Sequence, residues 1–192
     1  MLNDKLRPKT NKITGEIGKK IDINPNIVTI IGLLISLFSG VLYASGNLGA
    51  GALFIIISGF CDVIDGAIAR SQNRRTRFGG FLDSVCDRFA DAAILIGIIY
   101  SGFVDPVLGA LAIHASLTVS YVRSRAESEG LQCTVGIAER AERLLIITIG
   151  SIISAIAGGS HLIMILTVAI LTILSYITVF QRIHYVWTAL ED

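Results

Sequence analysis

Six stretches of about 20 apolar residues, at 26–45, 48–71, 80–101, 104–125, 140–158 and 160–185, follow one another along this chain. Each is long enough to cross a bilayer as a helix, so the expected fold is all-α, an integral membrane protein with six transmembrane helices. With 53% hydrophobic residues and a mean hydropathy of +0.70 over 192 residues, the chain is too apolar for an ordinary soluble domain. Ser45-Gly46-Asn47, Ser101-Gly102-Phe103 and Gly158-Gly159-Ser160 are the short links expected between spans.

Charge gives the spans a direction. Lys5, Arg7, Lys9, Lys12, Lys19 and Lys20 precede the first span, and Arg70, Arg74, Arg75 and Arg77 lie at the second connection. Arg88 is in the first turns of the third span. Arg123, Arg125, Arg140 and Arg143 bracket the fourth connection, and Arg182 is near the end of the sixth span. Every Lys and Arg therefore falls on one membrane face. The positive-inside rule makes that face cytoplasmic, with both termini inside a multi-pass cell-membrane protein. Residues 1–25 carry Ile13, Ile17 and Ile21 at helical spacing among lysines, as expected of an amphipathic juxtamembrane helix on an anionic leaflet. They are too polar for a cleavable apolar leader. Residues 26–192 form the single six-helix domain. No nucleic-acid partner is expected.

Inside this apolar sequence lie Asp62, Asp65, Asp83 and Asp87, with Asp91 one turn further on. A carboxylate at hydrocarbon depth costs about 2.5–3.5 kcal/mol on insertion scales, so such a cluster requires compensation. Asp62 and Asp65 share a face near the cytoplasmic end of the second span; Asp83 and Asp87 share one near the same end of the third. The basic link at 71–78 lets the two helix ends lie side by side, so that the four carboxylates converge on a pocket open to the cytoplasm. Hard oxygen donors without a His or Cys set favour Mg²⁺ or Mn²⁺ over Zn²⁺, and two carboxylate pairs suit two ions clamping a phosphate. Gly66 and Gly79 clear space for a large ligand, Ala69 keeps the same face low, and Arg70 supplies a cation for a phosphate. These residues point to a metal-dependent membrane enzyme.

The pattern Asp62-x-x-Asp65-Gly66-x-x-Ala69-Arg70, eight residues, Gly79-x-x-x-Asp83-x-x-x-Asp87 resembles the signature of the CDP-alcohol phosphotransferase family at every fixed position. Pro25-Asn26-x-x-Thr29 is similar to the family's usual start of its first span. The resemblance implies six helices, a cytoplasmic-side active site, a homodimer, and transfer of a phosphatidyl-type group from a CDP-linked lipid to an alcohol with release of CMP. It also implies that Asp62, Asp65, Asp83 and Asp87 hold the metals, with Asp87 as the base on the attacking hydroxyl. The CDP-lipid would be held by Thr29, Asp62, Gly66, Ala69, Arg70, Thr76 and Gly79. Asp91 lies outside the signature and is read as a polar contact inside the helix, with Arg88.

A second basic cluster bears on the acceptor. Arg123, Arg143 and Arg182 suit an alcohol that already carries a phosphate, whereas Arg125 and Arg140 fit the positive flank of a membrane helix equally well. The Ser120-Tyr121-x-Arg123-x-Arg125-Ala126-Glu127 and Glu139-Arg140-x-Glu142-Arg143 runs, and Gln181-Arg182, resemble phosphatidylinositol-phosphate synthases and their archaeal relatives, the archaetidylinositol-phosphate synthases. That subfamily implies inositol 1-phosphate as acceptor, bound by Ser120, Arg123, Arg143 and Arg182. Arg123 stands where bacterial members usually have Lys, which alters hydrogen-bond geometry but keeps the charge. Overall resemblance favours an archaeol-based donor, although no residue physically separates archaeol from diacylglycerol.

Glycerol 3-phosphate is the competing acceptor. A divalent-cation transporter is the competing class, and the outer halves of the second and third spans carry no carboxylates with which to continue an ion path. Cys61, Cys86 and Cys133 lack metal-ligand spacing and form no disulfide framework, and His114, His161 and His184 are read as structural or interfacial. Tyr185 and Trp187 are expected to anchor the last helix at the interface.

Overall fold

The computed structural model describes residues 23–191, so the amphipathic helix expected over 1–25 falls almost entirely outside the described residues. These fold into α1 (Pro25–Ala44), α2 (Leu48–Ser71), α3 (Arg77–Tyr100), α4 (Pro106–Ser128), α5 (Arg140–Ile156) and α6 (His161–Glu191). Helix starts follow local chemistry. Asn24 Oδ1 accepts from Asn26 N at 3.0 Å with Pro25 in the first turn, Asn47 Oδ1 from Ala50 N at 3.1 Å, and Asp105 Oδ1 from Val107 N at 2.8 Å ahead of Pro106. Thr76 caps α3 by accepting from Gly79 N at 2.9 Å, which starts that helix three residues before the apolar run. The α1–α2 link turns at Gly46, whose φ of +81° suits a residue without Cβ.

α1 packs most closely on α2 and α3, α4 pairs with α6, and α5 joins the groups through α2 and α6. Tyr43, Ile55, Ile94, Ile98, Met164 and Leu171 lie in one buried core. Buried hydroxyls are paired across helices: Ser36 with Ser58 at 2.6 Å, Ser39 to Gly51 O at 2.8 Å, and Tyr43 to Ser151 Oγ at 3.0 Å. α1 and α3 meet backbone to backbone at Gly40 and Gly97. A Cβ on Gly40 would lie 2.6 Å from Ala93 O, and one on Gly97 would run into the carbonyl of Gly40.

Large apolar side chains cover the outside, Leu34, Phe60, Ile156 and Phe180 among them, as a bilayer-facing surface requires. By length and composition, α1, α2 and α6 are apolar enough to cross a membrane. α3 carries Asp83, Asp87, Arg88 and Asp91, and the 17 residues of α5 rise only about 25 Å. Among the described residues the charged side chains other than Asp105 gather at one end of the bundle, where α1 begins, α2 ends, α3 and α5 begin, and Arg182 reaches α4.

The minor histidine and cysteine expectations fit these surroundings. His114 Nδ1 lies 3.0 Å from Tyr176 Oη between α4 and α6, and His161 stacks on Phe103 at the far end. The three cysteines are free. Tyr185 donates to Gln132 O at 3.2 Å, so it fastens α6 to the α4–α5 loop.

Candidate active site

The start of α1 and the facing ends of α2 and α3 enclose a cavity of about 290 Å³. Thr29, Asp65, Gly66, Ala69, Arg70, Thr76, Gly79 and Asp83 line it. Of the seven residues expected to hold a CDP-lipid, six therefore share one cavity, and Asp62 alone does not line it. Thr29 reaches across from α1 and donates to Asp65 Oδ2 at 2.6 Å, which orients a carboxylate that is only 7% exposed. The Arg70 guanidinium folds back over Gly66: a Cβ there would stand 3.0 Å from its Nη1. A Cβ on Gly79 would press on Thr76 Oγ1 and Asn26 Oδ1, and one on Gly32 would approach Cys61 and Asp62. Gly66 and Gly79 both line the cavity, and Gly32 and Gly79 let α1 approach α2 and α3 beside it.

A larger cavity of about 700 Å³ opens between α3, α4, α5 and α6. Asp83, Asp87, Ser120, Arg123, Arg143 and Arg182 line it, together with Arg140 and Glu139. Asp83 belongs to both cavities and marks where they adjoin.

The four signature carboxylates are electrostatically coupled. They do not share one set of contacts, however. Asp65 and Asp83 face the smaller cavity, while Asp62 and Asp87 are paired with Arg140, which bonds Asp62 Oδ2 and lies 3.0 Å from Asp87 Oδ1. Among the described residues no three His, Cys, Asp or Glu side chains already converge on one point. The donors are all hard carboxylate oxygens, and two of them already take a cationic partner in Arg140. That chemistry fits a divalent oxygen-seeking ion.

Arg140 is the site-lining residue that the sequence left undecided, since the same position suits an ordinary positive flank. Asp91 calls for a correction. Arg88 is turned outward, donating to Ser84 O at 2.5 Å and lying 3.7 Å from Asp87 Oδ2. Asp91 faces inward and accepts instead from Arg143 Nη2 at 2.8 Å and from Arg140 Nε at 3.3 Å. The available signal was the i, i+4 series Asp83, Asp87, Asp91, which continues one helix face toward α5.

The acceptor arginines differ in what they have left to offer. Arg182, 1% exposed, donates to Val119 O at 2.7 Å and Val135 O at 2.9 Å and lies 3.4 Å from Glu139, so it also ties down the α4–α5 loop. Arg123 is held by Glu127 at 2.9 Å. Ser120 Oγ leans back on Ser116 O at 3.4 Å. Arg143, 3% exposed, donates to Ala138 O at 3.1 Å and to Asp91, which leaves its buried Nε without a partner. An unpaired buried donor costs about 1–3 kcal/mol, more when charged, and Arg143 is the lining residue of this cavity that carries one.

The sequence model described as CDP-alcohol phosphatidyltransferase matches residues 22–185. The archaetidylinositol phosphate synthase of Methanothermobacter thermautotrophicus is 44% identical over 191 residues, covering 100% of this chain and 96% of that protein. The phosphatidylinositol phosphate synthase of Mycobacterium tuberculosis with CDP-DAG bound superposes with a TM-score of 0.80 at 32% identity, covering 92% of this chain and 94% of the other. The same enzyme in complex with manganese and citrate superposes with a TM-score of 0.80 at 32% identity, covering 91% and 89%.

Proposed function

The chain belongs to the CDP-alcohol phosphatidyltransferase family, and from that premise we propose that it transfers an archaetidyl group from a CDP-linked lipid to inositol 1-phosphate, releasing CMP. The observation that carries the proposal is the pair of adjoining cavities. One is built from the CDP-lipid signature and the other from Arg123, Arg143 and Arg182, with Asp83 common to both. An activated lipid diphosphate in the first and a phosphorylated alcohol in the second would meet at the carboxylates.

The reaction makes one P–O bond and breaks another. The acceptor hydroxyl oxygen attacks the lipid-linked phosphorus, the bond from that phosphorus to the CMP oxygen breaks, and CMP leaves with the electron pair. The hydroxyl proton passes to Asp87, whose Oδ1 is held by Arg140 and whose Oδ2 lies 3.7 Å from Arg88. Arg70, lying against Gly66, binds the donor diphosphate from the signature side. Arg143 supplies a cation to the wall of the acceptor cavity, with Arg123 and Arg182 completing the positive field and Ser120 nearby. The family is divalent-cation dependent. Two Mg²⁺ or Mn²⁺ ions, held by Asp62, Asp65, Asp83 and Asp87, would neutralise the diphosphate and polarise the attacking hydroxyl.

Six membrane crossings, both termini and both cavities on the cytoplasmic side, and a homodimer complete the reading. It is supported by the one-sided distribution of Lys and Arg and by the family resemblance. Residues 26–192 form the catalytic domain.

The test is CMP release by purified protein with Mg²⁺, offering inositol 1-phosphate, inositol, glycerol 3-phosphate and serine against archaeol and diacylglycerol donors. Release confined to inositol 1-phosphate, and faster with the archaeol donor, is expected. Release with glycerol 3-phosphate alone would overturn the acceptor assignment, and no release with any pair would overturn the reading as a whole. In the same assay Gly66→Val is expected to raise KM for the CDP-lipid about tenfold, because the added methyls displace the Arg70 guanidinium. An unchanged donor KM would remove Arg70 and Gly66 from the donor site.

A further inference from the structure

Asp91 is a buried carboxylate that the signature does not contain and the chemistry above does not use. It is 9% exposed, in the inner part of α3, one turn beyond Asp87. Its two oxygens are divided between two arginines of α5, Oδ2 taking Arg143 Nη2 at 2.8 Å and Oδ1 taking Arg140 Nε at 3.3 Å. These two ion pairs join α3 to α5, beside the contact of Arg140 with Asp87. Each arginine leads to a different part of the site. Arg140 continues to Asp62 and Asp87, and Arg143 lines the cavity of Arg123 and Arg182.

From this arrangement we propose that Asp91 is a positioning residue, setting the guanidinium of Arg143 for the acceptor phosphate while anchoring Arg140 against the catalytic carboxylates. The inference rests on the acceptor reading above and adds a residue to it. A guanidinium is planar, so fixing two of its nitrogens fixes the plane and the direction of the third. Asp91 and Ala138 O fix two of the nitrogens of Arg143, and Nε is the one left over. A neutral residue at 91 would leave a buried cation with one backbone acceptor and free the fork to rotate. Asp91 touches no reacting atom in this scheme. It works through Arg143 and Arg140, which take up both of its oxygens.

Asp91→Asn keeps the shape and removes the charge, and with Arg143→Ala and the double variant it forms a cycle. KM for inositol 1-phosphate and KM for the CDP-lipid are measured separately for each protein, and binding of the CDP-lipid in the absence of acceptor serves as the check of folding. Asp91→Asn is expected to raise the acceptor KM about tenfold while leaving the donor KM and donor binding within about twofold. The double variant is expected to be no worse than Arg143→Ala alone, because the two residues act as one unit. Equal loss of donor and acceptor affinity would reduce Asp91 to a helix tie and overturn the proposal. So would an Asp91→Asn effect that simply multiplies with that of Arg143→Ala. If Arg143→Ala raises the acceptor KM and Asp91→Asn does not, the positioning role falls and the acceptor site stands. If neither variant moves it, the acceptor reading itself fails.

Discussion

Asp87→Asn is expected to lower the rate of CMP release by about 10²–10⁴-fold, with KM for the CDP-lipid changed by no more than a few-fold. The substitution keeps the size of the side chain and one oxygen, but it removes the carboxylate proposed to take the hydroxyl proton. The scaffold should tolerate it. Arg140 loses one carboxylate at 3.0 Å and retains Asp62 and Asp91, so no buried cation is left unpaired. Steady-state CMP release over a range of donor concentrations separates the two quantities. Turnover within about threefold of the parent protein would remove Asp87 from the role of base. A donor KM rising in step with the fall in rate would assign it to donor binding instead.

Gly97→Leu is expected to give the largest loss of stability, because it lies where two backbones touch. Replacing Gly by Leu within a helix gains about 1 kcal/mol of intrinsic propensity. Against this, a Cβ at 97 would run into the Gly40 carbonyl and approach its carbon to 2.9 Å, and a carbonyl in the neighbouring helix cannot rotate aside as a side chain can. Overpacking of this kind costs about 1–3 kcal/mol or more, so the clash outweighs the propensity gain. The net effect, about 1–2 kcal/mol, should lower the midpoint of thermal unfolding in detergent by about 2–8 °C. Gly40→Leu, facing Ala93 O at 2.6 Å, should behave alike. Because α1 carries Thr29 to Asp65, activity should fall below that midpoint as well. A midpoint unchanged in both variants would mean that α1 and α3 are not in backbone contact.

Much of the site was legible because its residues sit close together in sequence. Asp62, Asp65, Gly66, Ala69 and Arg70 occupy adjacent turns of α2, and Thr76, Gly79 and Asp83 open α3 after a short link, so helical geometry alone gathers them. Thr29 was reached only through the family resemblance, and its bond to Asp65 bridges 36 residues of sequence. The helix starts at Pro25 and Pro106 could likewise be read from capping chemistry. Arg140 and Asp91 could not be paired in this way. An arginine at the start of a membrane helix satisfies the positive-inside pattern wherever it points, and Asp91 has Arg88 three residues before it as a nearer candidate partner. Burial decided the outcome: Asp91 is 9% exposed whereas the Arg88 side chain is 36% exposed, and a buried carboxylate requires a buried cation.

Sequence by itself determined the all-helical, membrane-compatible chain, the charged end of the bundle and the identity of the signature residues. Each of these depends on a local period, a local composition or a fixed short spacing. Only the tertiary structure decided that α5 and α6 deliver Arg140, Arg143 and Arg182 beside α3. Only it divided the carboxylates between a donor cavity and an arginine-lined one and made Asp91 the tie between α3 and α5. Those contacts join residues 49 to 78 positions apart. At that range the partner of a buried charge is chosen by how helices pack around small residues such as Gly40 and Gly97, and no local period encodes it.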